Sequence, residues 1–446
     1  MLYRYIVENF KSFRDQAELA MIPSVGGCSH LIDGDTNIPV LKTAVIYGAN
    51  ASGKSNLVRS MAFARDLILN KEKVNGVSNP CYRLDQESMN RPTVFHFELK
   101  INEALYQYGF SILFSKSLVT EEWLYEIIEK KPLFSRAYNE AKFIYDYEFE
   151  TDDLSEEERN RMAVYMDDLK NAKDRLVLTE LAQKKLSDEV SLWNRINEVY
   201  TWFKKLTIIF PNTRFNLLTA VVADESKINN LYKDYFRLFN LAIDNIHLNQ
   251  VPIAMLPLNQ ETLAEIKSDL LAKDTKGDAR GMINLRGHEY LLELDELGDL
   301  TAKEVKFCHL KREDGGVADF SKWEESDGTQ RLFDLIPALA RLVKQEGVWV
   351  IDEIDRSLHS LVTRKIISFF LKESQGIRSQ LICTTHEQLL LDISLLRTDE
   401  IWLTQKNSPD EISELYPLAK YKVKFPENIE KNYLLGRYRG IPVLDD

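Results

Sequence analysis

Residues 40–69 place the tightest constraint on what this chain can fold into. Val40 to Tyr47 is an apolar run rich in β-branched residues and ends at a glycine, which predicts a buried strand. The loop GANASGKS follows at 48–55, and from Ser55 to Leu69 apolar side chains recur with a helical period. Further apolar strands alternate with helices later in the chain. This order predicts a mostly parallel α/β sheet whose ligands bind at the carboxyl ends of the strands.

The loop matches the pattern G-x-x-x-x-G-K-[ST], which has a specific physical logic. Gly48 and Gly53 let the backbone wrap around a phosphate with its N–H groups pointing inward, and the following helix adds its positive N-terminal end. Lys54 neutralises the β- and γ-phosphates, and the Ser55 hydroxyl coordinates Mg²⁺. A chance match in a turn is the alternative, but the flanking strand and helix favour a functional loop. The residues predicted to bind ATP are Gly48, Asn50, Ala51, Ser52, Gly53, Lys54, Ser55 and Asn56.

An acidic pair and a histidine follow two further apolar runs. The run 347–351 ends in Asp352-Glu353, and the run 380–385 ends at His386. Asp352, at a buried strand tip, is predicted to hold the metal directly or through water, and Glu353 to activate the attacking water. His386 is predicted to sense or stabilise the γ-phosphate; an ordinary strand cap and a structural histidine are the alternatives. The predicted catalytic residues are Lys54, Glu353 and His386, and the predicted metal ligands are Ser55 and Asp352.

A stretch with serine and glycine precedes the apolar helix predicted at 333–344. Residues 326–330 read SDGTQ and begin 26 residues before Asp352. A serine and a glycine ahead of a helix form either an anion-binding N-terminus or an ordinary helix cap. The residues of this stretch that are predicted to bind nucleotide are Ser326, Gly328 and Gln330.

Changes of pattern along the chain predict three segments. Residues 1–150 are predicted to form the N-terminal half of an ATPase domain, with alternation typical of antiparallel strands at 93–128. Residues 151–280 are predicted to form a charged helical insertion that begins with Ser155 as an N-cap. Residues 281–446 are predicted to form the C-terminal half of the ATPase domain. The charged helices present either a solvated face or a partner-binding face.

Composition and charge narrow the function classes. The net charge of −12 excludes a generally basic surface, but it does not exclude a local basic groove that binds DNA. The four cysteines lack CxxC spacing, which disfavours a zinc site or a disulfide scaffold. Neither a signal peptide nor an apolar run of about 18 residues is visible, so we expect a cytoplasmic protein without a membrane partner.

Together these motifs resemble a known family. A phosphate loop, a long insertion, an S-x-G-x-Q signature, an apolar strand ending in Asp-Glu and then a histidine is the order found in ABC-type ATPases. NFKSF at 9–13, GANASGKSN at 48–56 and DEIDRSLH at 352–359 look like the SMC/RecF/OLD-related branch. Within it they resemble the compact AAA-type ATPases of bacterial anti-phage systems, including RloA/AbiL-like proteins, AriA of PARIS and the ATPase of Septu-like systems. GRYRGIP at 436–442 is similar to that group, and the resemblance covers both ends of the chain.

The resemblance implies a fold and a mode of assembly. The fold is α/β, a P-loop NTPase of ABC/SMC-head type with an antiparallel β subdomain and an inserted helical subdomain. ATP would be sandwiched between two heads of a homo-oligomer, so that Ser326 and Gly328 contact the γ-phosphate bound by another subunit and 355–359 forms the seam. Asp327 stands where many transporters have glycine, which argues against a close analogy with transporters. The candidates for the family's Q-loop glutamine are Gln86 and Gln107.

The resemblance also suggests competing functions. The first is an ATP-dependent sensor and scaffold in anti-phage defence, which responds to a phage-encoded trigger and controls a separate effector, a TOPRIM/RloB-like nuclease or a toxin. The alternative is a RecF/SMC-like DNA-repair ATPase that clamps DNA, which the net charge disfavours. A self-contained OLD-type nuclease is rejected because the 60 residues after His386 contain no D-x-D.

Overall fold

The computed structural model describes residues 1–27, 29–32, 38–127, 131–150, 152, 154–170, 172–184, 191–212, 225–273, 280–311, 315–407, 410–421, 423 and 428–440. Cys28, the last two residues of GRYRGIP and residues 185–190 of the predicted helical segment lie outside this part of the chain.

The strands are β1 (Leu2–Glu8), β2 (Ala17–Ala20), β3 (Leu31–Ile32), β4 (Val40–Leu41), β5 (Thr43–Gly48), β6 (Thr93–Ile101), β7 (Ala104–Leu113), β8 (Leu118–Glu126), β9 (Lys131–Asn139), β10 (Ile144–Phe149), β11 (Thr207–Ile209), β12 (Asn245–Val251), β13 (Arg280–Leu285), β14 (His288–Leu294), β15 (Leu300–Leu310), β16 (Val317–Ser321), β17 (Gly347–Ile351), β18 (Ser379–Thr384), β19 (Ile401–Asn407) and β20 (Ile412–Pro417). The helices are α1 (Lys54–Ile68), α2 (Gln86–Met89), α3 (Glu156–Leu169), α4 (Val177–Gln183), α5 (Ser191–Lys205), α6 (Glu225–Leu238), α7 (Gln260–Lys273), α8 (Asp327–Leu342), α9 (Ser360–Glu373) and α10 (Ile429–Leu434).

Packing divides the chain into two units. The first contains Met1–Pro211, Gln345–Ile354 and Leu371–Asp446, and the second contains Asn212–Lys344 and Asp355–Phe370. The predicted boundary at residue 150 does not separate the two units, because α3, α4 and α5 fall in the first. The division into two head halves and a helical insertion therefore stays a prediction about how the chain folds.

A six-stranded sheet in the first unit positions the phosphate loop. Its order is β11-β17-β18-β5-β19-β20, and every neighbouring pair is parallel except β19 with β20. The central strands β5 and β18 are buried along their whole length, as continuous apolar runs require when both faces are covered. The mostly parallel sheet predicted from the sequence is confirmed.

A seven-stranded antiparallel sheet forms the rest of the framework of the first unit. Its order is β10-β9-β8-β7-β6-β1-β2, which confirms the antiparallel strands predicted at 93–128. Inward-facing residues of β6 alternate with half-exposed ones, as a strand with one buried face should. Phe97 on β6 packs edge-on against Phe203 of α5 at 5.0 Å between ring centroids. The core of this unit is thus shared by the sheet and its helices.

The charged helical stretch begins where the sequence predicts and is tied to the antiparallel sheet. Ser155 caps α3, and Glu158 completes the reciprocal capping box. The buried carboxylate of Glu122 on β8 accepts the backbone N–H groups of Val177 and Leu178 at the start of α4, at 2.7 and 3.0 Å. A negative charge at a helix N-terminus is stabilising, so Glu122 anchors α4 to the sheet.

The second unit is built on a five-stranded antiparallel sheet. Its order is β12-β15-β14-β13, with β16 added beside β15. Phe307 of β15 packs against Phe333 of α8 at 4.9 Å between ring centroids, and Tyr232 of α6 stacks on the same ring. A separate apolar cluster around Leu292 and Leu270 lies under α7.

Among the residues that the structure describes, no helix is long and apolar enough to cross a membrane.

Candidate functional site

The loop 48–55 joins the end of β5 to the start of α1, as predicted. Its residues line a cavity of about 490 Å³ together with Lys406 of β19 and with residues that follow the ends of β17 and β18. The lining residues are Ser12, Asn50, Ala51, Ser52, Gly53, Lys54, Ser55, Asn56, Arg59, Glu353, His386 and Lys406. The structure therefore brings the loop, the glutamate and the histidine, which are far apart in the sequence, to one place in the first unit.

Both glycines of the loop pattern have a physical reason. A Cβ at Gly48 would lie 2.2 Å from Oγ1 of Thr404, so the neighbouring strand leaves no room for a side chain. Gly53 has φ of +113° and would place a Cβ 2.5 Å from the Ser413 hydroxyl. That backbone conformation is strained for residues with a side chain.

The side chain of Lys54 lies inside the loop. Its Nζ donates to the carbonyl oxygens of Gly48 at 2.6 Å and Ala49 at 2.9 Å, and the residue is only 5% exposed. The loop thus encloses a fixed positive charge beside the N-terminus of α1, an arrangement that suits an anion.

A hydroxyl network joins the loop to the acidic pair. Oδ1 of Asp352 accepts the hydroxyls of Ser55 at 3.1 Å and Thr384 at 2.6 Å. Thr384 in turn accepts the backbone N–H of Glu353 at 2.8 Å. Asp352 is 2% exposed, so its carboxylate is held by these donors in a dry environment. A hydroxyl and a carboxylate oxygen side by side are hard ligands of the kind that Mg²⁺ prefers.

Glu353 and His386 project beyond the ends of their strands. Glu353 follows Asp352 with a left-handed φ of 47°, which turns the chain at the end of β17. His386 is exposed, two residues after the end of β18, and lines both the main cavity and a second cavity of about 390 Å³. Both side chains therefore have access to a ligand bound at the loop.

The predicted signature residues lie in the second unit. Ser326 caps α8 and accepts the N–H of Thr329 at 3.2 Å, and the side chain of Gln330 donates to the carbonyl of Glu325 at 2.9 Å. A Cβ at Gly328 would lie 2.9 Å from the carbonyl of Ser357. The start of α8 and the segment 355–359 therefore form one surface, and only glycine permits this approach.

Sequence reasoning missed several residues of the site. Ser12, which accepts from Asn56 at 2.8 Å, lies in the NFKSF stretch, and Arg59 follows Ser55 by one helical turn, so both had a local signal. Lys406 and Thr404 had none, because pairing of β19 with β5 brings them to the loop. Thr404 shares a hydrogen bond of 2.6 Å with the hydroxyl of Ser52.

A larger cavity of about 680 Å³ adjoins the main one and shares Ser12, Asn56, Arg59 and Lys406 with it. Aromatic rings and cations line it together, among them Phe10, Phe63, Tyr82, Lys11 and Arg83. Burial lowers the pKa of Lys11, and the nearby charges of Arg59 and Arg83 lower it further. Local positive charge therefore concentrates beside the loop of an acidic chain.

Neither candidate for the Q-loop glutamine is among the residues that line the main cavity. Gln86 is exposed on the short helix α2, and Gln107 lies on β7 within the antiparallel sheet, opposite Glu98 and Tyr125.

A family model described as "AAA domain, putative AbiEii toxin, Type IV TA system" (AAA_21) matches residues 44–392. The chain belongs to this family. The matched range contains the phosphate loop, Ser326, the acidic pair and His386, and it ends before residues 393–446. Membership implies a nucleotide-binding ATPase domain, typically one that uses Mg²⁺.

Similarity to solved structures is low in both sequence identity and TM-score. No curated protein matches the chain. One similar solved structure is an Smc head bound to the C-winged helix domain of ScpA, with 13% identity, a TM-score of 0.37, and coverage of 93% of this chain and 97% of that one. The SMC head domain from Thermotoga maritima has 11% identity, a TM-score of 0.34, and coverage of 93% and 98%. An Smc head with an extended coiled coil, bound to the C-terminal domain of ScpA derived from Pyrococcus furiosus, has 12% identity, a TM-score of 0.36, and coverage of 98% and 99%.

The predicted fold class is confirmed. The AAA_21 chain has an α/β architecture in which a P-loop follows the central strand of a mostly parallel sheet, together with antiparallel sheets and additional helices.

Proposed function

We propose that this AAA_21 chain binds and hydrolyses ATP with Mg²⁺, assembles as a multimer, and acts as a sensor and scaffold that controls a separate effector in anti-phage defence. The observation that carries the ATPase part is that Glu353 and His386 line one cavity with the loop, while Asp352 accepts a hydrogen bond from Ser55 of the loop. We place this activity in the cytoplasm, as the sequence predicts.

The two adjoining cavities support binding of a whole nucleotide. The loop, with Lys54 enclosed, suits the phosphates, and the larger cavity beside it offers aromatic rings and cations to the nucleoside. Arg59 and Lys406 line both cavities, so two positively charged side chains lie where the cavities meet.

The residues at the junction of the loop with Asp352 fit a Mg²⁺ ion. Ser55 and Asp352 would hold the ion, since their oxygens already lie 3.1 Å apart and are hard ligands. When bound, Mg²⁺ neutralises charge on the phosphate oxygens.

The chain's own side chains supply the rest of the hydrolysis. Lys54 stabilises negative charge that develops on the phosphates, and Glu353 orients a water molecule and takes its proton as that water attacks the γ-phosphorus. The new bond joins the water oxygen to phosphorus, and the bond from phosphorus to the bridging oxygen breaks to leave ADP and phosphate. His386 contacts the γ-phosphate and reports whether it is present.

A shared site between copies would turn this chemistry into a switch. The surface formed by the start of α8 and the segment 355–359 is proposed to contact the γ-phosphate bound by another copy, through Ser326 and Gly328. A γ-phosphate that bridges two copies favours the assembly, and hydrolysis of ATP lets the two copies separate. A phage-encoded trigger and a TOPRIM/RloB-like nuclease or toxin would be the partners, a proposal supported by the motif resemblance alone.

The ATPase proposal is tested by measuring Mg²⁺-dependent ATP turnover and nucleotide binding in matched variants. Lys54→Ala should lose binding or lower turnover on the order of 100-fold, because the enclosed charge is removed. Glu353→Gln should bind ATP normally while turnover falls on the order of 100-fold. Lys71→Ala, which changes an exposed lysine, is the control and should match the wild type. Normal turnover in Lys54→Ala would exclude the loop as the nucleotide site, and tight binding of duplex DNA with ATP would favour the DNA-clamp alternative.

A further inference from the structure

The segment 428–440, here called the clamp segment, lies against the phosphate loop. It begins with Asn428 as the cap of α10 and ends at Gly440. The segment follows the range matched by the family model, so its role is not part of that match. It passes beside the loop at the point where β5 ends.

One carbonyl of the clamp segment holds the loop. The backbone N–H of Ala49 donates to the carbonyl oxygen of Gly440 at 2.9 Å. The hydroxyl of Tyr433 donates to the same oxygen, also at 2.9 Å. A carbonyl oxygen has two lone pairs, so these two donors fill its capacity and fix its direction.

The same residue of the loop is tied to Lys54. The carbonyl of Ala49 accepts Nζ of Lys54 at 2.9 Å and the N–H of Ser52 at 3.2 Å. Ala49 therefore donates to the clamp segment on one side and accepts from the phosphate-binding part of the loop on the other. A shift of Gly440 would move the carbonyl that orients Lys54.

The clamp segment is itself held firmly. The hydroxyl of Tyr416 donates to the carbonyl of Tyr438 at 3.1 Å, and the amide of Asn432 donates to the Tyr438 hydroxyl at 3.3 Å. Tyr433 and Tyr438 are 7% and 4% exposed. Burial raises the pKa of Tyr433 to about 12, so its hydroxyl stays protonated and able to donate at neutral pH.

The backbone at Gly440 requires glycine or a strained substitute. Its φ is +73°, and an added Cβ would meet the carbonyl of Thr404 and the ring of Tyr433 at 3.5 Å, which is ordinary contact. An alanine there would fit in space but not in conformation. The substitution Gly440→Ala therefore tests the backbone conformation at this position without adding a steric clash.

We propose that the clamp segment positions the first half of the phosphate loop for nucleotide binding, with Tyr433 as the positioning residue and Gly440 as the contact. Gly440 lies beyond the end of α10, and packing of α10 alone does not require that this carbonyl accept the loop's own N–H. The proposal rests on the proposed function, since it concerns the same ATP site.

The test compares Tyr433→Phe and Gly440→Ala with the wild type. Each should raise the dissociation constant for ATP roughly fivefold, the loss expected for about one hydrogen bond or one strained residue. KM for ATP should rise by a similar factor while kcat stays within about twofold, because Lys54 and Glu353 remain. Hydrogen exchange of the Ala49 amide without nucleotide should become faster in both variants. Leu435→Ala, which changes a side chain that is 60% exposed on the same segment, is the control.

The outcomes separate the two proposals. Wild-type protein that binds no ATP would overturn the proposed function and the clamp with it. Wild-type binding with unchanged affinity in both variants would overturn the clamp alone. A fall in thermal stability with unchanged ATP affinity and unchanged Ala49 exchange would also overturn it, since that is the result of a purely structural contact. Weaker binding and faster exchange in both variants, but not in Leu435→Ala, would support it.

Discussion

The hydroxyl of Thr384 decides how the acidic pair meets the loop. It donates to Asp352 and accepts from the N–H of Glu353, so one small side chain fixes the carboxylate and the adjacent backbone together. The role arises because β18 lies beside β17 and its final residue reaches the tip of that strand.

The histidine of β6 is expected to make the stability of the fold depend on pH. His96 on β6 is mostly buried, and desolvation, with a smaller contribution from Arg4, lowers its pKa from 6.5 to about 4. As pH falls below 6.5, His96 becomes protonated in the unfolded chain but stays neutral in the folded chain. The free energy of unfolding therefore decreases between pH 6.5 and 4. The loss should reach roughly 3 kcal/mol for this residue.

The measurement is the free energy of unfolding in urea at pH 7, 5.5 and 4 for the wild type and His96→Gln. The variant should lose about 3 kcal/mol less on acidification. Glu98, whose carboxylate lies 3.8 Å from Nε2 of His96 and whose pKa is raised by burial, acts in the opposite direction in both proteins. Equal losses in the two proteins would show that His96 does not carry the effect.

At the scale of elements, parallel pairing assembles the site. β5 lies between β18 and β19, and β17 lies beyond β18, so the tips of four strands meet at one edge. Gly48 pairs with Thr404 in this arrangement, which explains both the lack of room at Gly48 and the hydroxyl contact with Ser52. The loop is therefore shaped by its neighbours as well as by its own glycines.

The contact between β8 and α4 gives a prediction at the same scale. Glu122 and Arg136 form an ion pair at 3.0 Å with both side chains fully buried, and Glu122 also holds the start of α4. Glu122→Ala leaves the charge of Arg136 buried without this partner and should cost about 3–5 kcal/mol of unfolding free energy. Glu157→Ala, which breaks an exposed pair with Arg161, should cost less than about 1 kcal/mol. Urea unfolding followed by circular dichroism measures both, and similar costs for the two variants would contradict the anchoring role.

At the scale of the whole molecule, the predicted site residues fall in two units. The phosphate loop, the acidic pair and His386 lie in the first unit, and Ser326, Gly328 and Gln330 in the second. A site shared between copies would use the second unit of one chain against the first unit of another. In this proposal, ATP binding and hydrolysis would change whether copies of the chain are assembled.

Mixing variants tests the shared site. Lys54→Ala and Ser326→Arg should each be inactive alone, and mixed copies should recover part of the wild-type turnover, up to about a quarter for a dimer whose copies pair at random, because one composite site keeps both functional halves. Glu353→Gln should form a larger species with ATP than the wild type does, as measured by size-exclusion chromatography with light scattering. No recovery on mixing, together with no change of size, would contradict the sandwich.

Local sequence was sufficient for the elements around the loop. The helical period after Gly53 and the capping box at Ser155 are short-range signals, and each is found where it was predicted. The apolar run 40–47 was predicted as one strand, but its central-sheet strand begins only at Thr43, because Val40–Leu41 pairs with β3 in a separate sheet. The roles of Lys54, Glu353 and His386 stay predictions, since they rest on motif chemistry. The sequence also indicated the parallel sheet, because buried runs alternating with helices have few other solutions.

Only the tertiary structure decided which distant residues complete the site. Thr404 and Lys406 reach the loop through strand pairing, and Gly440 reaches Ala49 through a backbone hydrogen bond, contacts for which sequence offers no periodic or compositional signal. The sequence by itself determined the phosphate loop, because glycine backbone freedom and one lysine are local properties. The distant residues that contact the loop depend on the order in which the strands pair, and that order follows from packing of the whole sheet.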